Sequence, residues 1–267
     1  MCSGRPARLP GRTRPPPQVR LRRAATGSIV GGMTDFPLGA AFTEALHLAA
    51  AWHTGQYRKV PAGQAPTVPY VSHLLGVASI ALEYGADQSE AVAALLHDAL
   101  EDGPVHARRS PADLRAEIAR RFGEPVARLV DSATDDTPAP GQPKRPWADR
   151  KAAYLRHLPA QPASPLLVSA ADKLHNARTI LADIRDLPAG QRAAFFDRFA
   201  QGRDGTLQYY RLLSDHYLAA PATHARPRLR ALLRELERTV TDLEHATGLT
   251  GEQTRHFPLL GHVQAPR

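Results

Sequence analysis

The segment Ala94-Leu95-Leu96-His97-Asp98-Ala99-Leu100-Glu101-Asp102 holds the densest chemistry in the chain. An apolar run leads into an imidazole beside a carboxylate, and two further acids follow. Continued as a helix, this segment pairs His97 with Glu101 and Asp98 with Asp102 at i,i+4 spacing. Four groups able to bind a cation or move a proton then gather at the end of an otherwise buried helix. Such polarity is costly in apolar surroundings unless the groups are paired or hold an ion. Imidazole next to carboxylate suits a divalent ion of intermediate hardness, Mn²⁺, Fe²⁺ or Zn²⁺. Asp172 is a second carboxylate in an apolar stretch and likewise needs a partner. Asn176 lies i+4 from it and shares its face. Arg58 and Lys59 are adjacent cations of the kind that hold phosphate oxygens.

Helical periodicity supplies the elements that must position these groups. Apolar residues repeat at helical spacing over about 38–53, 71–84 and 88–101, and the last of these carries His97 and Asp98. Ser110 and Pro111 are an N-cap and a first-turn proline that start another helix. Further helices are predicted over 124–133, 147–158, 165–184, 189–218 and 226–246. The span 165–184 reads as long and buried, and 226–246 carries a leucine stripe on one face. Tyr209 and Tyr210 at helical spacing read as core, although either could stack on a base. No alternating strand pattern is present. The expected fold is all-α, a compact bundle of roughly ten helices.

Composition narrows the possible functions. Hydrophobic residues make up 43% of the 267 residues, and no apolar run suggests a membrane span. Cys2 is the only cysteine, which excludes a disulfide framework or a thiolate metal site and fits a reducing cytoplasm. The net charge of +8 is concentrated in Arg5, Arg8, Arg12, Arg14, Arg20, Arg22 and Arg23. Without them the body is close to neutral, so no nucleic-acid partner is expected. Residues 1–33 are Pro-, Arg- and Gly-rich and read as a disordered tail or as a start mis-assigned ahead of Met33. Residues 34–218 are expected to form the functional domain, and 219–267 a helical extension packed on it.

The order His73, then His97-Asp98, then Asp172 resembles the ligand pattern of the HD-domain phosphohydrolases. Four blocks resemble, within that superfamily, the hydrolase domain of the RelA/SpoT-like alarmone enzymes. They are Gly55-Gln56-Tyr57-Arg58-Lys59, Pro69-Tyr70-Val71-Ser72-His73, Leu96-His97-Asp98 with Glu101-Asp102, and Ala171-Asp172-Lys173-Leu174-His175-Asn176 with Arg178-Thr179. The similarity covers about residues 40–186 and weakens towards 218. It implies His73, His97, Asp98 and Asp172 as ligands of one divalent ion, with Mn²⁺ favoured. It implies Glu101 and Asp102 as the catalytic acids that orient water or shuttle a proton. Arg58, Lys59, Lys173, Asn176, Arg178 and Thr179 would contact substrate, while His175 lies off the Asp172 face and is expected to be structural. The link from Lys59 to Pro69 is longer than the family's, and Ala133-Thr134-Asp135-Asp136 replaces its Val-Thr-Lys-Leu-like segment. The implied substrate is a small nucleotide, guanosine tetraphosphate or pentaphosphate, cut at the 3′-pyrophosphate. No synthetase segment is read in the chain, so hydrolysis alone is expected. The alternatives are an HD phosphohydrolase acting on another nucleotide or phosphoester, and a catalytically silent nucleotide-binding regulator.

Overall fold

The computed structural model describes residues 38–60, 65–134, 144–261 and 263. Among them there are eleven α-helices and no strand: α1 Ala40–Trp52, α2 Val71–Glu83, α3 Gln88–Leu96, α4 Gly103–Ala107, α5 Pro111–Phe122, α6 Glu124–Ala133, α7 Trp147–His157, α8 Ala163–Arg185, α9 Gly202–Ala219, α10 Pro227–Ala246 and α11 Gly251–Arg255. The one β-type contact is an isolated bridge between Tyr57 and Pro69. Among the described residues no helix is long and apolar enough to cross a membrane. The expectation for residues 1–33 falls outside the described residues.

The helix α8 is the axis of the bundle. It packs against α2, α3, α6, α9 and α10. Leu166, Leu167, Val168, Ala170, Ala171, Leu174, Ala177 and Ile184 on it are all fully buried. The short helix α3 is buried on every side from Glu90 to Leu96, as expected of a helix that is apolar all round. A capping box starts it: the Asp87 side chain accepts from the Glu90 N–H, and the Glu90 carboxylate accepts from the Asp87 N–H.

The expected helix over 189–218 is broken. Two 3₁₀ segments, Ala189–Gln191 and Ala194–Arg198, precede α9, which begins at Gly202 with φ 59°. Both Phe195 and Phe196 are buried. The rings of Phe195, Phe196 and Phe199 pack against one another here, and the chain follows 3₁₀ turns in place of one continuous helix. The helix over 88–101 also stops early, at Leu96. The Asp98 carbonyl accepts from the N–H groups of Glu101, Asp102 and Gly103 at 3.2, 3.0 and 3.4 Å, and residues 97–102 form a tight multiple turn.

The segment 219–267 packs into the same unit. The stripe Leu229, Leu232, Leu233, Leu236, Val240 and Leu243 of α10 is fully buried, and α10 lies along α8 and α9. Arg226, just before α10, pairs with Glu90 on α3. Beneath α10 and α11 the Arg211 guanidinium donates to Glu244 through Nε at 2.9 Å and through Nη2 at 2.5 Å. Both side chains are almost completely buried. Removing one partner of such a pair strands the other charge. Glu244→Ala is therefore expected to cost about 3 kcal/mol of stability. Denaturant unfolding measures this directly, and a loss below about 1 kcal/mol would contradict a buried, coupled pair.

Candidate metal centre

Three elements bring the polar groups of the core together. His73 lies in the first turn of α2, His97 and Asp98 occupy the turn that follows α3, and Asp172 sits mid-way along α8. His73 and His97 are 1% and 2% exposed. The Nε2 atom of His73 lies 3.2 Å from Asp172 Oδ1 and 3.6 Å from Asp98 Oδ2. The Nε2 atom of His97 lies 3.0 Å from Asp98 Oδ2 and 3.6 Å from Asp172 Oδ1. Two imidazole nitrogens and two carboxylate oxygens thus surround one point. The early end of α3 permits this, because it lets the adjacent His97 and Asp98 reach the same centre.

Hydrogen bonds fix the ring tautomers. His97 Nδ1–H donates to the Ala94 carbonyl at 2.9 Å, which leaves Nε2 as the ring atom aimed at the carboxylates. That buried atom has no partner in hydrogen-bond geometry, although a carboxylate oxygen is 3.0 Å away. A shared cation satisfies both atoms. The Nδ1 atoms of His73 and His175 are 2.9 Å apart, so one must donate. Burial, with the nearby His73 and Arg58, lowers the His175 pKa to about 4, so its ring is neutral. With His73 as donor, the His73 Nε2 lone pair also faces the centre.

Electrostatics give the same picture. Burial opposes the charged form of His97, but Asp98 and Asp172 outweigh it and raise its pKa well above the ordinary value. Burial opposes ionisation of Asp98 too, and the two imidazoles overcome it to hold Asp98 well below the usual range. Asp172 behaves alike, with Lys173 its strongest support. Lys173 Nζ sits 2.6 Å from Asp172 Oδ2 and Asn176 Nδ2 donates to Oδ1 at 2.6 Å. The Tyr70 hydroxyl donates to Asp98 Oδ2 at 2.6 Å; burial and Asp98 keep that phenol protonated. This donor set, two nitrogens and two ionised oxygens with oriented partners, fits a divalent cation.

The other sequence-predicted residues divide into two groups. Arg58 reaches the site: Nη2 donates to Asn176 Oδ1 at 3.0 Å, and the guanidinium lies 6.0 Å from the Tyr70 ring. The longer link before Pro69 does not displace Arg58, because its N–H bonds the Val68 carbonyl at 2.9 Å and closes the loop at its base. Asp102 accepts from Gln56 Nε2 at 2.8 Å, and Glu101 pairs with Lys144 at 2.7 Å. Lys59 is exposed. Arg178 bonds Glu235 on α10 at 3.3 Å, and the Thr179 hydroxyl bonds the His175 carbonyl at 2.9 Å. Neither Arg178 nor Thr179 bonds the ligand set. Tyr209 and Tyr210 are buried, while Asp135 and Asp136 lie outside the described residues.

Sequence reasoning missed three residues of the network. His175, expected to be structural, lies within hydrogen-bond distance of His73; Tyr70 and Gln56 entered only as neighbours of His73 and Arg58. Their positions one turn or one loop from a ligand were the available signal. The His175 ring fits only because residue 76 is glycine, since a Cβ there would lie 2.2 Å from the ring. Gly76→Ala is expected to push His175 away from His73 and weaken divalent-ion binding about 10- to 100-fold. Calorimetric titration checks this; wild-type affinity in the variant would mean that His175 does not orient His73.

Comparison with known proteins agrees with this geometry. The family profile described as HD domain matches residues 45–201. The guanosine-3′,5′-bis(diphosphate) 3′-pyrophosphohydrolase MESH1 of Xenopus tropicalis is 36% identical over 139 residues, covering 51% of this chain and 68% of that protein. A GTP pyrophosphokinase of Streptomyces coelicolor is 36% identical over 137 residues, but only 14% of its length is covered. A solved structure described as a metazoan ortholog of SpoT that hydrolyzes ppGpp superposes with a TM-score of 0.54 at 27% identity. It covers 75% of this chain and 96% of that one. With two imidazoles and two carboxylates converging from α2, the turn after α3, and α8, and with relatives that carry the same domain, this chain belongs to the HD-domain family.

Proposed function

We propose that the chain is a divalent-metal-dependent phosphohydrolase that removes pyrophosphate from the 3′ position of guanosine 3′,5′-bis(diphosphate). The observation that carries the reading is the convergence of His73, His97, Asp98 and Asp172 on one point. The similarity to 3′-pyrophosphohydrolases supports the substrate. These four residues would hold the ion; mixed nitrogen and oxygen donors without thiolate suit Mn²⁺ or Fe²⁺, and we take it to be Mn²⁺ on the resemblance to the alarmone hydrolases. A divalent ion held there lowers the pKa of a bound water and draws charge from a phosphoryl oxygen. In the balanced reaction, a water oxygen bonds to the phosphorus next to the ribose. The bond from that phosphorus to O3′ breaks, and O3′ takes up a proton as pyrophosphate leaves.

The remaining roles follow from placement. Asp102, and Glu101 one residue before it, are the carboxylates that accept the proton of water. Arg58 and Asn176, already bonded to one another, present donors to phosphate oxygens beside Asp172. Lys173 neutralises Asp172 on the side away from the imidazoles. A cavity of about 250 Å³ opens one turn along α8 from Asp172. Arg145, Arg150 and His157 line it with Tyr154 and Ser169, and we assign the rest of the nucleotide to it. Residues 34–218 form the hydrolase domain on this reading, and 219–267 an extension that braces α8 and α9. A single cysteine fits a reducing cytoplasm.

Two outcomes are expected. Asp98→Ala and Asp172→Ala lose bound Mn²⁺ and at least about a hundredfold of the hydrolytic rate together. Metal analysis after dialysis, alongside pyrophosphate release, reads both; full turnover in either variant would reject the site. Across a panel of nucleotides with Mn²⁺-loaded protein, guanosine tetraphosphate is expected to give the highest kcat/KM. Faster cleavage of deoxynucleotides or simple phosphoesters would reject the substrate while keeping the chemistry.

A further inference from the structure

At the end of α1 the chain buries an imidazole that the ligand set does not use. His53 is 3% exposed, and its ring stacks on Tyr70 with centroids 5.4 Å apart and planes 23° apart. Its Nδ1 atom lies 2.6 Å from Gln56 Oε1, and Gln56 Nε2 lies 2.8 Å from Asp102 Oδ2. Donor and acceptor roles are fixed along this line. A carboxylate only accepts, so the amide must turn its NH₂ to Asp102 and its oxygen to His53. An amide oxygen only accepts, so His53 Nδ1 must carry the proton. His53 Nε2 is then a bare acceptor, and it is buried with no hydrogen-bond partner. Leaving a buried acceptor unpaired is unfavourable. A phenylalanine would fill the same space without that cost, so packing alone does not explain the imidazole.

The backbone holds the line in place. The Gln56 N–H bonds the His53 carbonyl at 3.0 Å, and the Gln56 carbonyl accepts from the Tyr70 N–H at 2.9 Å. One short segment therefore carries Gln56 to Asp102, Arg58 to Asn176, and the platform under Tyr70. The Asp102 carboxylate sets the sense of the amide, and the His53 Nδ1–H holds the amide oxygen and so fixes where its NH₂ lies.

We propose that His53 and Gln56 form a positioning pair for Asp102: the imidazole locks the amide, and the amide occupies Asp102 Oδ2 and leaves Oδ1 to receive the proton of the attacking water. This rests on the hydrolase reading for its catalytic consequence, and on geometry alone for the hydrogen-bonded line.

The test uses the full-length Mn²⁺-loaded protein with three substitutions. His53→Phe keeps the stack on Tyr70 and removes the donor. Gln56→Glu keeps the shape and sets an oxygen against Asp102. His53→Asn places an amide N–H where Nδ1–H was. The first two are expected to lower kcat about 10- to 100-fold with KM and Mn²⁺ content unchanged, and His53→Asn to restore most of the rate. An unchanged kcat, or a loss of metal in step with activity, would overturn the proposal. Nuclear magnetic resonance of the Gln56 side-chain amide in the metal-free protein, where no paramagnetic ion broadens it, reads the line without turnover. Its N–H facing Asp102 is expected downfield and slow to exchange in the wild type, and to lose both properties in His53→Phe and in Asp102→Asn. An amide signal indifferent to both changes would overturn the pair even in an active enzyme. A signal present in a wild type that hydrolyses no nucleotide, and lost in both variants, would sustain the pair and reject the hydrolase reading.

Discussion

Two carboxylates and two imidazoles share the interior of a helical bundle, and that charge arrangement governs the rest. Asp172 is buried, and Asp98 lies against two buried rings. In an apolar core such groups are tolerated only when paired or bound to a cation. Lys173 balances one side of Asp172, and the Tyr70 hydroxyl supplies a donor to Asp98. His97 Nε2 still faces two carboxylates. A divalent ion held there would satisfy all of these groups at once.

The bundle is built to hold this point still. The candidate ligands arrive from α2, the turn after α3, and α8, and α8 also carries Lys173, His175 and Asn176 on neighbouring positions. The partners of the ligands are themselves constrained: His175 is seated against Gly76, and Asn176 is tied to Arg58. The C-terminal helices contribute at a distance. α10 covers α8 and α9, and Arg226 and Glu235 bond Glu90 and Arg178. The buried Arg211–Glu244 pair joins α9 to α10. The extension therefore buttresses the helices that carry the candidate site.

Much of this was legible in the sequence, because helical stripes and ligand types are local signals. The apolar positions of α8 and α10 and the Ser110 cap fall where periodicity and residue chemistry place them. What was not legible depends on tertiary demand. The turn over 97–102 lets His97 and Asp98 reach one centre, which no local propensity encodes. The break before Gly202, where two 3₁₀ segments replace the expected helix, has no marker in the apolar periodicity. Arg178 sits in a block that resembles a substrate motif, yet its guanidinium bonds Glu235, a residue far along the chain. His175 joins the site through His73, across two helices that share no sequence neighbourhood. Spacing along one helix shows a shared face; it does not show which side chain meets it from another helix.

The central claim is that one ion is bound by nitrogen from two histidines and oxygen from two aspartates. Pulsed electron paramagnetic resonance of the Mn²⁺-loaded protein tests it most directly. The account expects one tightly bound ion per chain with nitrogen couplings from two imidazoles, reduced to one in His73→Ala or His97→Ala. A bound ion that shows no nitrogen coupling, or one whose spectrum is unchanged by both substitutions, would place the metal elsewhere and contradict the account.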